Sequence, residues 1–138
     1  MTLLSTTSGP PPHDGEDALL VKQYTLQTFV LDVLERDIGR IAISGLKMGE
    51  IYIQGLRQAQ DDAASDLFRI RKQFRHRGIK IVSEERLEHG VRVQYVCRGY
   101  HRSFYMIRGL IRAEVKSLLQ RYLHISGDPG EPKGTADS

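Results

Sequence analysis

The spacing of apolar residues changes at Gly78, and this change constrains the fold more than any other feature of the chain. Before it, apolar residues recur every three or four positions, which predicts a helix over residues 63–76. After it, residues 79–85 and 91–98 read as two strands, and the second alternates cleanly between apolar and polar side chains. Gly90 lies in the connection, where we expect it to adopt a positive φ. The pattern predicts an α+β fold.

The first part of the folded region is predicted to be helical. Residues 16–38 carry apolar side chains at spacings of three, four and seven, and the stripe is wide enough for a mostly buried helix. Gly39 is expected to end this helix. Residues 40–43 are short and apolar and are expected to form a small strand, after which Ser44 could cap a second helix.

The sequence leaves open whether residues 46–77 form one helix or two. Gly49 and Gly55 weaken the helical pattern in the first part, and Asp61 and Asp62 could break the segment or cap the next helix. The helix over residues 63–76 is the firmer prediction, and one uninterrupted helix from about 46 to 77 is the alternative.

A last helix, capped by Ser103 and ending near Leu123, completes the predicted elements. Residues 1–15 and 125–138 are rich in Ser, Thr, Gly and Pro, so we predict disordered tails on either side of a single domain over residues 16–124. Apolar runs are too short to span a membrane. The single cysteine favours a reducing compartment, and we expect a cytoplasmic protein without a membrane partner.

Charge is distributed unevenly along the chain. Residues 69–80 read RIRKQFRHRGIK and contain no acid. Residues 69–121 hold fourteen Lys and Arg against four Asp and Glu, a balance of +10, whereas the remainder holds six against thirteen, a balance of −7. Such a division predicts an anionic partner for the basic part. The alternative is that the two parts neutralise each other within the fold or across a dimer.

The predicted order of helices, basic helix, β-hairpin and C-terminal helix resembles a winged helix-turn-helix, although no signature motif accompanies it. The resemblance implies that the helix over residues 63–77 enters the DNA major groove and that the hairpin flanks it as a wing. It also implies a turn of about three or four residues before that helix. The expected wing tip carries Glu84, Glu85 and Glu88, which would be repelled by a phosphate backbone.

The sequence therefore favours a non-catalytic, DNA-binding transcription or replication regulator of winged-helix type. We expect it to bind double-stranded DNA as a homodimer, because symmetric dimers are the commonest oligomers. The expected contacts are the cations of the basic helix and of the flanking hairpin. These residues are Arg69, Arg71, Lys72, Arg75, Arg77, Arg92, Arg98 and Arg102.

Two other binding functions remain open. The basic surface could dock on an acidic protein, which would make the chain an adaptor or inhibitor. Aromatic residues lie among the charges between Tyr100 and Tyr105, and stacking of unpaired bases on them would indicate RNA. The alternative for these aromatic residues is that Phe104 and Tyr105 are core residues.

No pattern in the sequence indicates an enzyme, a metal or a cofactor. The five histidines are scattered and lack the spacing of a metal site. Cys97 lies on the apolar face of its predicted strand, where a buried thiol is usually inert. A phosphate-binding GxxxxGKS loop does not occur in the sequence.

Overall fold

The computed structural model describes residues 3–5 and 14–126, and these residues form an α+β fold with three helices and an antiparallel sheet. After a short first strand, β1, come helices α1 and α2, then strands β2, β3 and β4, which form a meander, and finally helix α3. A three-residue strand, β1, pairs with the edge of the meander at β4. The bounds are β1 Leu3–Ser5, α1 Asp14–Ala42, α2 Gly49–Arg77, β2 Ile79–Arg86, β3 Gly90–Cys97, β4 Tyr100–Ile107 and α3 Arg108–Tyr122. The disorder predicted over residues 1–15 is wrong for residues 3–5, which form β1, and for residues 14–15, which begin α1. Residues 1–2, 6–13 and 127–138 lie outside the described residues.

Helix α1 is longer than its sequence pattern predicts. It continues through Gly39 to Ala42, so the strand predicted over residues 40–43 is wrong. A glycine inside a helix costs about 0.5–1 kcal/mol, which the packing of buried side chains such as Ile38 offsets. Ser44 does not cap α2. Its hydroxyl donates to the Ile41 carbonyl at 2.8 Å and closes the end of α1 instead.

Residues 49–77 form one helix, so the prediction of separate helices over 46–60 and 63–76 is wrong and the uninterrupted alternative is correct. Ala59, Ala63, Leu67 and Phe74 make a buried stripe along α2. The small alanines let α2 lie close to α1, and this packing holds the helix through Gly55. No turn interrupts α2, so the helix-turn-helix on which the winged-helix prediction rests is not found there.

Gly78 ends α2 in the predicted way. It adopts the left-handed conformation with φ of 68° and donates its N–H to carbonyls of the last helical turn. Strands β2 and β3 lie within a residue of their predicted bounds. Gly90 does not adopt the expected positive φ. A side chain there would collide with the Met106 carbonyl and the Tyr105 ring, so close approach is what requires glycine at this position.

The hairpin is extended by a third strand, which the sequence pattern missed. Residues 100–107 form β4, so Ser103 lies within a strand and does not cap α3, which begins at Arg108. Arg98 and Gly99, with φ of 48° and 88°, make the tight turn between β3 and β4. Inward and outward side chains alternate along β4, and Phe104 and Met106 are buried.

The core lies between one face of the sheet and the three helices. Helix α2 leads directly into β2, and the first turn of α1 contacts the end of β3. The sheet therefore lies at the end of the α1–α2 hairpin where α1 begins and α2 ends. A helix of 29 residues is about 43 Å long, so the connection between α1 and α2 lies far from the sheet.

Candidate nucleic-acid interface

The eight cations predicted to contact DNA do not form one surface. Arg77, Arg98 and Arg102 are held in contacts within the fold, and Arg92 pairs with Glu85 at 3.6 Å on the outer face of the sheet. The other four are exposed on the last part of α2, as Arg69, Arg71, Lys72 and Arg75.

Arg77 and Arg98 converge on Asp17, a carboxylate with no exposed surface. Arg77 donates to Asp17 Oδ1 at 3.1 Å and to Glu16 at 3.2 Å. Arg98 donates to Asp17 Oδ2 at 2.8 Å and to the Arg77 carbonyl at 2.9 Å. These bonds join the start of α1, the end of α2 and the β3–β4 turn. We call Asp17, Arg77, Arg98 and Cys97 the Asp17 cluster.

The Asp17 carboxylate is stabilised in its charged form although it is buried. Burial by itself raises its pKa, but hydrogen bonds from Cys97, Arg98 and Arg77, with the charge of Arg98, together lower the pKa below its ordinary value. The Cys97 thiol is fully buried and donates to Asp17 Oδ2 at 2.9 Å. This geometry gives Cys97 a structural role and excludes solvent from the thiol.

Arg102 is buried inside the sheet layer. Its side chain points into the core from β4, with 2% of its surface exposed, and its guanidinium lies 5.4 Å from the centre of the Tyr100 ring. Burial also argues against stacking of RNA bases in this region, because the Phe104 ring, like Arg102, is not accessible. The interpretation of Phe104 as a core residue is confirmed, although it lies on a strand. The same interpretation is wrong for Tyr105, which is half-buried and does not belong to the core.

The exposed cations of α2 differ in their neighbours. Arg69 forms a close pair with Asp66, one helical turn before it. Among the residues that the structure describes, Arg71, Lys72 and Arg75 form no ion pair with a carboxylate. We call these three residues the α2 basic face. Residues 67–77 contain no acid, so the charge of this face is not neutralised within its own part of the helix.

Aromatic rings support the α2 basic face. The Arg71 guanidinium lies 6.0 Å from the centre of the Tyr24 ring, and Lys72 Nζ lies 5.6 Å from that of Phe68. Cation–π contacts of this kind contribute about 0.5–1 kcal/mol at exposed sites. Tyr24 in turn packs against Phe74 with ring centres 5.0 Å apart and an angle of 39° between the rings, which connects Arg71 to the core.

A groove of about 460 Å³ lies beside this helix, between α1, α2 and α3. Charged side chains around it form internal pairs: Lys22 binds Glu114 at 3.4 Å, and Arg69 binds Asp66. Leucine and isoleucine side chains make up the apolar part of the lining. The groove carries charges of both signs, so it does not extend the α2 basic face as a purely positive surface.

A buried polar network closes one side of the groove. Gln27 Nε2 donates to the Ala63 carbonyl at 2.9 Å and to the Tyr122 hydroxyl at 2.6 Å, and Tyr122 donates to Asp66. Burial and the bond to Asp66 raise the pKa of Tyr122 to about 12. Residues from all three helices are thereby joined, and nothing in the spacing of the sequence indicates this network.

The described residues contain neither a metal-binding cluster nor a membrane-spanning helix. Within residues 3–5 and 14–126, no three His, Cys, Asp or Glu side chains are grouped so that they could hold a metal ion. In the same part of the chain, no helix is both long enough and apolar enough to cross a membrane.

The arrangement is that of a small α+β protein with a basic helix face and a structural arginine–carboxylate cluster. A family described as "YhjD protein" matches residues 12–127, and the chain belongs to this family. It is similar to the uncharacterized protein YhjD of Bacillus subtilis (strain 168), with 30% identity over 104 residues. The similar region covers 75% of this chain and 87% of that relative. No solved structure matches the chain.

Proposed function

We propose that this protein is a non-catalytic regulator that binds double-stranded DNA through the α2 basic face. The observation that supports the proposal is the exposure of Arg71, Lys72 and Arg75 side by side on a helix, without a carboxylate in residues 67–77. An exposed helix fits the major groove in width. Guanidinium and ammonium groups on its surface suit phosphate oxygens and guanine edges.

In this proposal α2 takes the position that the recognition helix has in a winged-helix protein, with the β2–β3 hairpin beside it. The turn of that hairpin lies at residues 87–89, near the carboxylates of Glu84, Glu85 and Glu88, and is expected to stay away from the phosphate backbone. Contact is therefore expected from α2 alone. Three neutralised phosphates give a slope of log affinity against log salt of about −3.

The test compares two triple variants of equal charge in duplex-DNA binding. R71A/K72A/R75A removes the α2 basic face. R36A/R40A/K47A removes three exposed cations near the connection between α1 and α2, far from the sheet. We expect the first variant to lose about tenfold or more in affinity at low salt, and the second to stay within about twofold of the wild-type protein. Equal losses would show that only net charge matters and would contradict the proposal.

A second candidate is an adaptor or inhibitor that places the same face on an acidic protein. Phe68 favours it, because this ring is 58% exposed and aromatic residues are enriched at protein interfaces. Competition separates the two functions. Duplex DNA of unrelated sequence would displace a DNA-binding protein from a DNA probe, and absence of binding to duplex DNA, single-stranded DNA and RNA at low salt would favour the protein partner.

Two further expectations stay predictions. A homodimer would present two α2 basic faces to one duplex, and sedimentation of the purified protein would reveal it. Cytoplasmic location is the other, and fractionation of cells that express the tagged protein would test it.

A further inference from the structure

Exposed apolar side chains are concentrated at the end of the α1–α2 hairpin that lies far from the sheet. Ile43 is 86% exposed, and four more large apolar residues in the next nine positions are about half exposed. We call these five residues the apolar tip: Ile43, Leu46, Met48, Ile51 and Tyr52. The remaining large exposed apolar residues are spread between Leu19 and Ile125. Scattered exposure is ordinary, but a cluster of this kind indicates a contact surface.

The charges around the apolar tip are mostly positive. Residues 38–49 contain two charged side chains, Arg40 and Lys47, and no carboxylate. Both are exposed. One acid, Glu50, lies among the residues of the apolar tip, in the first turn of α2, so the two cations leave a positive balance. An apolar projection flanked by cations is complementary to an anionic lipid surface, in which aliphatic side chains enter the acyl region and Lys and Arg reach the headgroups.

We propose that the apolar tip docks the protein on anionic membranes, with the α1–α2 hairpin directed towards the bilayer. Peripheral docking of this kind needs no membrane-spanning helix, and it departs from the expectation of a protein without a membrane partner. Aliphatic and methionine side chains at the turn would enter the boundary between headgroups and acyl chains. Tyr52, one turn into α2, would lie at headgroup level, where tyrosine rings are enriched.

The hydroxyl group at the turn is not available to bind a partner through directed hydrogen bonds. The Ser44 hydroxyl donates to the Ile41 carbonyl, so it already has a partner within the turn. The surface therefore offers mainly aliphatic area and a net positive charge from Arg40 and Lys47 against Glu50, which a fluid lipid surface can use without matched hydrogen bonds.

A second copy of the chain fits the tip less well than a membrane does. A two-fold contact between tips places each side chain near the same side chain of the other copy. Arg40 and Lys47 would then approach their own copies, and Glu50 supplies only one acid per copy for these two cations. Anionic headgroups remove that repulsion, and each Lys or Arg near such a surface contributes to binding.

The test is cosedimentation of the full chain with vesicles of phosphatidylcholine alone or with phosphatidylglycerol added. We expect the wild-type protein to bind the anionic vesicles. I43D/M48D is expected to lower the partition coefficient by about tenfold or more, because it places carboxylates where apolar contact is needed. V82D/I107D is the matched control, since Val82 and Ile107 are 56% and 57% exposed on the sheet, and it should bind like wild type.

Other outcomes separate this inference from the proposed function. R71A/K72A/R75A should keep its vesicle binding, and I43D/M48D should keep its affinity for DNA. Vesicle binding that is lost with the α2 basic face but kept in I43D/M48D would overturn the inference. An absence of vesicle binding by the wild-type protein would also overturn it. The same holds if the wild-type protein is a dimer that I43D/M48D converts to a monomer without any change in vesicle binding.

Discussion

Arg75 and Arg77 lie two residues apart near the end of one helix, yet their surroundings differ completely. Arg75 is exposed on the α2 basic face. Arg77 is turned towards α1 and bonds to Asp17 and Glu16. Helical geometry accounts for the difference, because two positions along an α-helix are about 200° apart. A continuous basic run in a sequence can therefore serve two purposes, one at the surface and one in holding the fold together.

The largest effect should come from removing the carboxylate of the Asp17 cluster. Asp17→Ala leaves Arg77 and Arg98 without their shared acceptor, and we expect a loss of about 2–4 kcal/mol in the free energy of unfolding. This loss is somewhat below the cost of breaking a fully buried pair, because both guanidiniums are partly exposed. Urea denaturation measures the change in the free energy of unfolding. Glu16→Ala removes an exposed acid from the same Arg77 and should cost below about 1 kcal/mol. Equal losses in the two variants would contradict the structural role of Asp17.

The acid dependence of stability sharpens the same comparison. Because folding lowers the pKa of Asp17 from 3.8, its contribution is fully present above pH 3.8 and is lost as the pH falls through the lowered pKa of the folded state. The difference in unfolding free energy between wild type and Asp17→Asn should therefore narrow below pH 3.8. Urea denaturation from pH 6 to pH 2 measures it, and a difference that stays constant over that range would contradict the assignment.

Arg75→Ala should affect DNA binding and leave stability unchanged, whereas Arg98→Ala should affect stability and leave DNA binding unchanged. Arg75→Ala is expected to leave the melting temperature within about one degree of wild type and to weaken duplex-DNA binding about threefold to tenfold. Arg98→Ala is expected to lower the melting temperature while the folded protein keeps its affinity, because Arg98 is engaged with Asp17. Thermal denaturation and fluorescence anisotropy measure the two properties. A loss of DNA affinity in folded Arg98→Ala protein would show that Arg98 contacts DNA and would contradict its structural role.

The smallest effect concerns the network beside the groove. Tyr122→Phe removes the hydroxyl that joins Gln27 to Asp66 and should cost about 1 kcal/mol at neutral pH. Folding raises the pKa of Tyr122 from 10 to about 12, so its contribution is present below pH 10 and is lost as the pH rises towards 12. Wild type should therefore lose more stability than Tyr122→Phe over that interval. Tyr52→Phe, at an exposed position, should behave like wild type.

Local patterns predicted the parts of the fold that local interactions determine. The alternation after Gly78 placed β2 and β3 almost correctly, and Gly78 itself ends α2 as expected. The continuity of α1 and α2 depends on packing between the two helices, which outweighs the unfavourable glycines at 39 and 55. Strand β4 was missed because Arg102 occupies an inward position, where the usual pattern has an apolar residue.

The candidate site was less predictable than the fold. The basic run identified the exposed cations of α2, but their separation from the structural arginines depends on contacts across the chain. Asp17 is 60 residues from Arg77 and 81 from Arg98. In the sequence it is one of several acids near the start of a helix, and its burial follows only from the way α1, α2 and the β3–β4 turn meet.

The most direct measurement is the affinity of the wild-type protein and of R71A/K72A/R75A for one duplex DNA across a salt series. We predict a slope of log affinity against log salt of about −3 for the wild-type protein and a slope near zero, with much weaker binding, for the variant. Equal slopes and equal affinities in the two proteins would contradict the assignment of DNA binding to the α2 basic face.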